Sequence, residues 1–528
     1  MKKFAVNLFI ITIISLLIAN KVFVQTVDEL KINPLQFISL KEVRNITNTL
    51  GNELFPGYDF TKMPSLFYRP KVQELLINYP HKPAGFSMYK GFNPLSDEMI
   101  YARNDSTVFT IDDQNTSTQI EGIDVLVVAD YFSGMRNKIG DIVRNRDKEF
   151  ISTWLDEWSF IPSPYNEIRT MLHEGIHVYQ TQKAPDKFAN ESVVSAYPLL
   201  DPINNSLYVL EGNILRDAIL TESPAVKREK INEFVAIRTY RQSLLKKEMV
   251  EYENLNEYVE GLAKYIEYKF LNVGEKVQPI KEMYYENGFK GYKGVLSAIF
   301  KDEIEDMVKI VSVSDNRFGN KYGTGPMRFR LYFSGACQAL LLDYVMPEWK
   351  TKIFNDGVYL CDLLKSSVKL SEQEIKEYTE KAKNNYNYNQ IYNEKKDFET
   401  DGKNKIQEKL NAILDTKNTL ITISYSKYPE IKGMSYTPFG VTQVSEKSAI
   451  YDMVPVIVLF DKNKKLTMKK IIPVYIDEKK NEITFEVKTP ASDLELLSGS
   501  ILETDEFILS NMDFEIKKEN SHVFIQLK

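Results

Sequence analysis

The chain has 528 residues, of which 43% are hydrophobic and 27% are charged, a composition typical of a globular protein with two or three domains. The formal net charge is −6, with 73 acidic against 67 basic residues, so the chain has no electrostatic reason to bind nucleic acid. Its two cysteines, Cys337 and Cys361, could form one disulfide at most, which excludes a scaffold built on several disulfides.

The first residues have the pattern of an export signal. Lys2 and Lys3 precede an almost entirely apolar run over residues 4–19. That run is shorter than the roughly 20 residues that span a bilayer, and it has the proportions of a secretory signal peptide. We therefore expect residues 1–25 to be removed on export, leaving a secreted or periplasmic chain with no membrane span; a retained N-terminal anchor is the alternative.

Residues 26–400 are predicted to form one α+β body. One or two short helices are expected over residues 28–50. Residues 53–130 contain short apolar runs separated by clusters of Pro, Gly, Asn and Asp, which is the pattern of strands joined by turns. From about residue 135 to residue 395 the apolar residues recur with helical periodicity. The strands are predicted at residues 65–68, 98–102, 107–111 and 123–129.

The helical part contains a motif that carries chemistry. Residues 173–177 read His-Glu-Gly-Ile-His, an instance of H-E-x-x-H. Side chains at positions i and i+4 of a helix lie on one face, so the imidazoles of His173 and His177 can reach one metal ion. A helix is predicted over about 165–182 from an apolar stripe made of Ile168, Met171, Leu172, Ile176 and Tyr179.

The glutamate inside the motif indicates catalysis rather than a structural metal site. Glu174 is rotated about 100° around the helix from His173, so its carboxylate can reach a water on the metal rather than the metal itself. Zinc lowers the pKa of such a water to about 7, and a carboxylate can take its proton as the water attacks a carbonyl. Glu174 is therefore the predicted general base. The other two histidines, His81 and His522, are expected to be structural.

Two histidines leave a catalytic zinc one protein ligand short. The helical segment near residues 250–270 offers three glutamates at i, i+4 and i+7, namely Glu253, Glu257 and Glu260. The spacing alone does not decide among them, and an ordinary solvated acidic face is the alternative for each. One carboxylate from this segment is the expected third ligand.

A further helix is predicted over residues 327–345, after the sequence Gly-Thr-Gly-Pro. Small residues from Gly335 to Ala339 would let this helix pack closely against a neighbour. Arg328, Arg330 and Tyr332 lie at its start, and a donor near the metal could stabilise the oxyanion of a tetrahedral intermediate. Tyr332 is the candidate for that role; the alternative is that these are ordinary polar residues at a helix start.

The end of the chain returns to strand patterns. Residues 383–403 are rich in Asn, Tyr and Lys and are interpreted as a surface helix end and linker. Residues 401–528 are predicted to be a separate all-β domain, resembling a small sandwich. Its strands are expected at residues 420–425, 454–460, 469–475 and 482–487, with turns at 461–465 and 477–481.

H-E-x-x-H followed on a later helix by Glu-Gly-Leu-Ala-Lys-Tyr, residues 260–265, resembles the gluzincin class of metallopeptidases. The resemblance implies a zincin-like fold, one catalytic zinc, Glu260 as its third ligand with Glu257 as the fallback, and a peptide or protein substrate. Two departures matter. The gap between the two elements is far longer than in thermolysin-like relatives, so a helical insertion over about 209–247 must fill it. The Gly-x-Met-Glu-Asn signature of one aminopeptidase family and the Asn-Glu-x-x-Ser-Asp segment of thermolysin are both absent. The whole chain resembles a bacterial secreted zincin rather than a named enzyme.

The sequence thus predicts a secreted zinc-dependent hydrolase with peptide as the favoured substrate class. Zinc is preferred to iron or manganese because two imidazoles and one carboxylate suit it. Two alternatives stay open: a non-catalytic binding or surface protein on a zincin fold, and a zinc amidase acting on a cell-wall linkage. Glu174 argues against the first, because a protein that only binds has no use for a base beside the metal. Nothing in the sequence separates the amidase from a peptidase.

Overall fold

The structure is a computed structural model, and it describes residues 29–528 apart from 97, 105–114, 131–162, 313–319, 429, 438–439 and 495–500. The predicted signal peptide, the strand expected at 107–111 and the start of the helical region at 135 lie outside the described residues. The described chain is α+β, with a helical body followed by a strand-rich C-terminal region. Within it, every helix is too short or too polar to cross a membrane.

The chain divides into two compact units. The first comprises Met1–Asn52, Gly57–Tyr179 and Val277–Gly291, and the second comprises Glu53–Pro56, Gln180–Lys276 and Tyr292–Lys528. The helical body from residue 180 and the C-terminal strands therefore belong to the same unit.

The described strands of the first unit are β1 Ser65–Arg69, β2 Gln73–Ile77, β3 Ser87–Met88, β4 Ile100–Arg103, β5 Thr116–Ile120 and β6 Ile123–Ala129. They form one six-stranded sheet in the order β3-β4-β2-β1-β6-β5. β1 pairs antiparallel with β2 and parallel with β6. The strand predictions at 65–68, 98–102 and 123–129 are confirmed, to within two residues. Helix α1, Leu35–Leu50, precedes the sheet.

The helices that follow lie close to the predicted ranges. The helix predicted at 165–182 is α2, Pro164–Lys183, and the segment expected to be helical over about 209–247 contains α3, Pro202–Leu220, and α4, Pro224–Ser243. The later helices are α3 Pro202–Leu220, α4 Pro224–Ser243, α5 Lys247–Val273, α6 Leu296–Val311, α7 Thr324–Val345, α8 Trp349–Lys352, α9 Leu360–Val368, α10 Glu372–Asn385 and α11 Tyr388–Leu414. Both cysteines are buried, free thiols in these helices.

Helices α5 and α7 approach each other at two glycines. A Cβ atom added to Gly261 would lie 2.6 Å from the Cα of Gly335, and one added to Gly335 would lie 2.8 Å from the Cα of Gly261. Real Cβ atoms do not come that close to a backbone, so the pair requires glycine at both positions. The predicted close packing by the small residues of α7 is confirmed, and its partner is α5.

The described strands of the C-terminal region are β7 Thr419–Ser424, β8 Gly433–Ser435, β9 Val441–Ser445, β10 Ser448–Tyr451, β11 Ile457–Asp461, β12 Lys464–Met468, β13 Val474–Asp477, β14 Glu482–Val487, β15 Ile501–Glu503, β16 Phe507–Ser510, β17 Phe514–Glu519 and β18 His522–Leu527. They form a seven-stranded sheet, β17-β18-β7-β14-β13-β10-β9, and a five-stranded sheet, β15-β16-β12-β11-β8. Residues from both sheets form one hydrophobic core, as in a sandwich.

Two sequence predictions in this part are wrong. The polar stretch 383–403 is not a linker, because α11 continues through it to Leu414. That helix is mostly solvent-exposed and has few buried side chains, so it lacks the apolar periodicity that would reveal it. The strand predicted at 469–475 is displaced, because the turn between β11 and β12 takes only two residues and β12 ends at Met468.

Candidate metal centre

Helix α2 carries the H-E-x-x-H motif. The apolar stripe that predicted it is buried: Ile168, Met171, Leu172 and Ile176 have no exposed surface, and Tyr179 is 9% exposed. His173, Glu174 and His177 are only half-buried. The helix is therefore held by its apolar side, and the three polar side chains of the motif remain accessible.

The glycine of the motif fits a tight contact within the first unit. A Cβ atom on residue 175 would lie 2.4 Å from the Cε2 of Phe60 and 2.5 Å from the hydroxyl oxygen of Tyr58. That hydroxyl donates a hydrogen bond to the carbonyl of Leu172, 2.8 Å away. Gly175 thus lets two aromatic rings pack directly against the helix backbone, beside the motif histidines.

The C-terminal turn of α2 belongs to the second unit, because the division between the units falls within this helix, after Tyr179. There Gln180 is fully buried, and its Nε2 donates to the carbonyls of Tyr258 and Val259 at 2.7 and 3.1 Å. These two residues directly precede Glu260 on α5. Two hydrogen bonds thus fix the backbone beside Glu260 to the C-terminal turn of α2 within the second unit.

His173, His177 and Glu260 form a group that could hold a metal ion. One nitrogen of each imidazole and one carboxylate oxygen all lie within 4.8 Å of one another, and the three side chains are half-buried. The two imidazole rings are 5.1 Å apart, with an angle of 80° between their planes. Two imidazoles and a carboxylate match the donor set of catalytic zinc sites, which keep a position for water, so the residues fit zinc. Glu174 is not part of this group.

The other two glutamates of α5 are engaged elsewhere. Glu257 is 1% exposed and accepts hydrogen bonds from both terminal nitrogens of Arg238, each at 2.9 Å, and one from Ser334. Glu253 is paired in the same way with Arg241, at 2.8 Å. The fallback ligand Glu257 is therefore not available to a metal, because a buried arginine already holds both of its oxygens.

Arg328 of α7 lies directly beside the candidate ligand. Its Nη2 donates to the Oε1 of Glu260 at 3.1 Å, and its Nη1 donates to Glu191. Burial would lower the pKa of Arg328, but the neighbouring Tyr332, Glu260 and Glu191 outweigh it and hold the pKa well above its usual value. The contact with Glu260 has no signal in the sequence, because the two residues are far apart along the chain.

Tyr332, the predicted oxyanion donor, lies one turn after Arg328 on α7. Its ring is half-buried and packs against Phe329, with 5.3 Å between the ring centroids. The structure thus places Tyr332 near Arg328, and its role as a donor remains a prediction.

The remaining histidines lie outside the group. His81 pairs with Glu121 at 3.0 Å on an exposed surface, and His522 contacts Thr422 at 2.9 Å between β18 and β7. Both contacts suit the structural roles expected of them.

A scan against protein-family models, a search of curated proteins and a search of solved structures each gave no match to this chain. Inference about its function therefore depends on the geometry and chemistry of the site itself.

Proposed function

We propose that the protein is a secreted zinc-dependent hydrolase that cleaves peptide bonds, with the zincin-like organisation expected from its resemblance to gluzincins. The observation that carries the proposal is the meeting of His173 and His177 with Glu260, a residue more than 80 positions later in the chain. Three ligands of these types, with a glutamate next to the first histidine, are the components that metal-assisted hydrolysis requires.

In the proposed mechanism His173, His177 and Glu260 hold the metal. A bound zinc ion would supply Lewis-acid activation of a water molecule and of the scissile carbonyl. Glu174 takes the proton from the attacking water and passes it to the leaving nitrogen, so it acts first as base and then as acid. Tyr332 donates a hydrogen bond to the oxygen on which negative charge develops.

The peptide bond as substrate rests on the resemblance, whereas hydrolysis rests on the pairing of Glu174 with a three-ligand group. A cell-wall amide would be cleaved by the same chemistry. A binding protein on the same fold would retain the metal ligands but would gain nothing from Glu174. The test therefore separates metal binding from turnover.

Bound metal should be quantified by mass spectrometry in the purified protein and in three variants: Glu174→Gln, His177→Ala and the control His81→Ala. Each protein is also assayed on a mixed peptide library. We expect about one zinc per chain in the unmodified protein, in Glu174→Gln and in the control, and none in His177→Ala. Cleavage should persist only in the unmodified protein and the control, since removal of a general base costs about 10²–10⁴-fold in rate.

Zinc binding in the expected pattern without cleavage of any peptide would contradict the peptidase proposal. An assay on cell-wall fragments would then distinguish an amidase from a binding protein. The proposed export has its own check, since N-terminal sequencing of the exported protein should show a new terminus close to residue 26.

A further inference from the structure

Arg328 occupies a position that the close packing of two helices creates. The contact between Gly261 on α5 and Gly335 on α7 brings the first two turns of α7 alongside Glu260. In the resulting ion pair the side chains of Arg328 and Glu260 are only 11% and 12% exposed. At such low exposure the pair is screened less by solvent than an ordinary surface salt bridge.

A second carboxylate fixes the other end of the guanidinium. Glu191, which begins a short 3₁₀ helix, accepts a hydrogen bond from the Nη1 of Arg328. Glu191 is itself held by the hydroxyl of Tyr252, 3.0 Å from its Oε2. The backbone carbonyl of Glu191 accepts a hydrogen bond from Tyr436, at 3.4 Å. Arg328 is thus held between two glutamates, one anchored by its neighbours and the other the candidate metal ligand.

The charges of this group favour a cation despite the arginine. An arginine close to a metal site repels the metal, but Glu191 and Glu260 carry two negative charges against one positive charge. The net charge of −1 still attracts a divalent ion. Carboxylates that bind metals are commonly oriented by a second set of hydrogen bonds, and removing such a partner costs about 10–100-fold in metal affinity or activity.

We propose that Arg328 is a positioning residue for Glu260, which it holds in the orientation needed to bind zinc, while Glu191 and Tyr252 hold Arg328. This inference rests on the proposed function, because it takes Glu260 as a zinc ligand. A purely structural ion pair would instead stabilise the fold without selectively affecting the metal. The two roles differ in whether the effect of Arg328 on zinc affinity depends on Glu260.

The test is a double-mutant cycle measured as zinc affinity, with a chromophoric chelator as competitor. Arg328→Gln should weaken zinc binding about 10–100-fold. Arg328→Lys should recover part of the loss, because an ammonium can donate to only one of the two carboxylates well. Glu260→Ala leaves the two histidines, whose weaker residual zinc affinity the competition assay measures at higher zinc concentration. In that background Arg328→Gln should cause no further loss. The matched control is Arg216→Gln, which removes a half-exposed ion pair with Asp217 on α3.

Two measurements keep the result interpretable. Circular dichroism and thermal unfolding show whether each variant is folded, and the absorption spectrum of the cobalt-substituted protein should change in Arg328→Gln but not in Arg216→Gln. A folded Arg328→Gln variant with unaltered zinc affinity would overturn the positioning role alone, and so would an equal loss in the Glu260→Ala background. No zinc binding by the unmodified protein would overturn both this inference and the proposed function.

Discussion

At the scale of single residues, Gly175 shows how a motif residue without ligand chemistry constrains the site. Its hydrogen faces the rings of Tyr58 and Phe60, where a methyl group has no room. In an unconstrained helix, alanine would stabilise by about 1 kcal/mol relative to glycine. Overpacking of this kind costs about 1–3 kcal/mol, and here it acts against rings that are almost fully buried. We therefore expect the steric cost to exceed the gain in helix propensity.

We predict that Gly175→Ala lowers the free energy of unfolding, measured by urea denaturation. Phe60→Leu replaces one of the two rings in contact with a smaller side chain. In the Phe60→Leu background, Gly175→Ala should therefore lower the free energy of unfolding by less than it does in the unmodified protein. Stabilisation by Gly175→Ala would show that the aromatic rings do not lie against the helix backbone.

The glutamates of α5 provide a second comparison at this scale. Glu257→Gln breaks a buried, bidentate pair with Arg238, and leaving one partner of such a pair uncompensated costs about 3–5 kcal/mol. We predict a large loss of stability in Glu257→Gln with zinc still bound at one per chain. Glu260→Ala should show the reverse, with loss of zinc and a smaller change in stability. Loss of zinc from a stable Glu257→Gln protein would reverse the ligand assignment.

The sequence could predict the two histidines and Glu174, because their spacing on one helix is itself the signal. It could not decide between Glu257 and Glu260 by spacing, and the resemblance favoured Glu260. The choice depends on arginines from a different helix, α4, that neutralise Glu253 and Glu257 and leave Glu260 to the histidines. Pairings between distant helices have no periodicity, so single-sequence reasoning misses them, as it missed the contact of Arg328 with Glu260.

At the scale of elements, helix α2 carries a buried acid as well as the metal ligands. Glu167 is 6% exposed, and burial raises its pKa to about 7; the neighbouring Gln36 opposes the rise and the charge of Asp130 adds to it. The ordinary value is 4.5. Between these two values the folded protein binds more protons than the unfolded chain. The contribution of Glu167 to the free energy of unfolding therefore falls as the pH rises from 4.5 to 7, and that loss persists above 7.

Glu167→Gln should remove this dependence. A pKa rise from 4.5 to about 7 corresponds to about 3 kcal/mol. The free energy of unfolding of Glu167→Gln should therefore increase by about that much, relative to the unmodified protein, as the pH rises from 4.5 to 8. Urea denaturation across that pH range measures the change. Parallel stability curves for the two proteins would contradict a buried, proton-binding Glu167.

Elements with an apolar face were predictable from sequence, and exposed ones were not. The apolar stripe on α2 and the short apolar runs of β1 and β6 are buried, so their predicted ranges agree with the structure to within two residues. Helix α11 has few buried side chains over 27 residues, and its sequence was interpreted as a linker. Its stability as a helix comes from contacts and local propensity that hydrophobic periodicity does not report.

At the scale of the whole molecule, the C-terminal strand region is joined to the helical body near the start of α7. The hydroxyl of Thr324 donates to the carbonyl of Val441 on β9 at 3.2 Å. A Cβ atom on Gly323 would lie 2.9 Å from that same carbonyl oxygen. This joint lies only a few residues before Arg328, so it connects the strand region to the surroundings of Glu260.

We predict that Gly323→Ala destabilises the protein by about 1–3 kcal/mol, because the clash is with backbone that cannot simply rotate away. Gly433→Ala is the matched control, since the nearest atom to its added methyl group, the Cδ2 of Leu459, is at an ordinary 3.7 Å. Thermal unfolding measures both. Equal stability of the two variants would argue against a tight joint at Gly323.

The central claim is that His173, His177 and Glu260 together hold one zinc ion. Zinc content of the purified protein, measured beside Glu260→Ala by mass spectrometry, tests it most directly. The claim predicts about one zinc per chain in the unmodified protein and loss of that zinc in the folded variant. An unmodified protein that binds no zinc even after supplementation, or a Glu260→Ala variant that binds it as tightly, would contradict the claim.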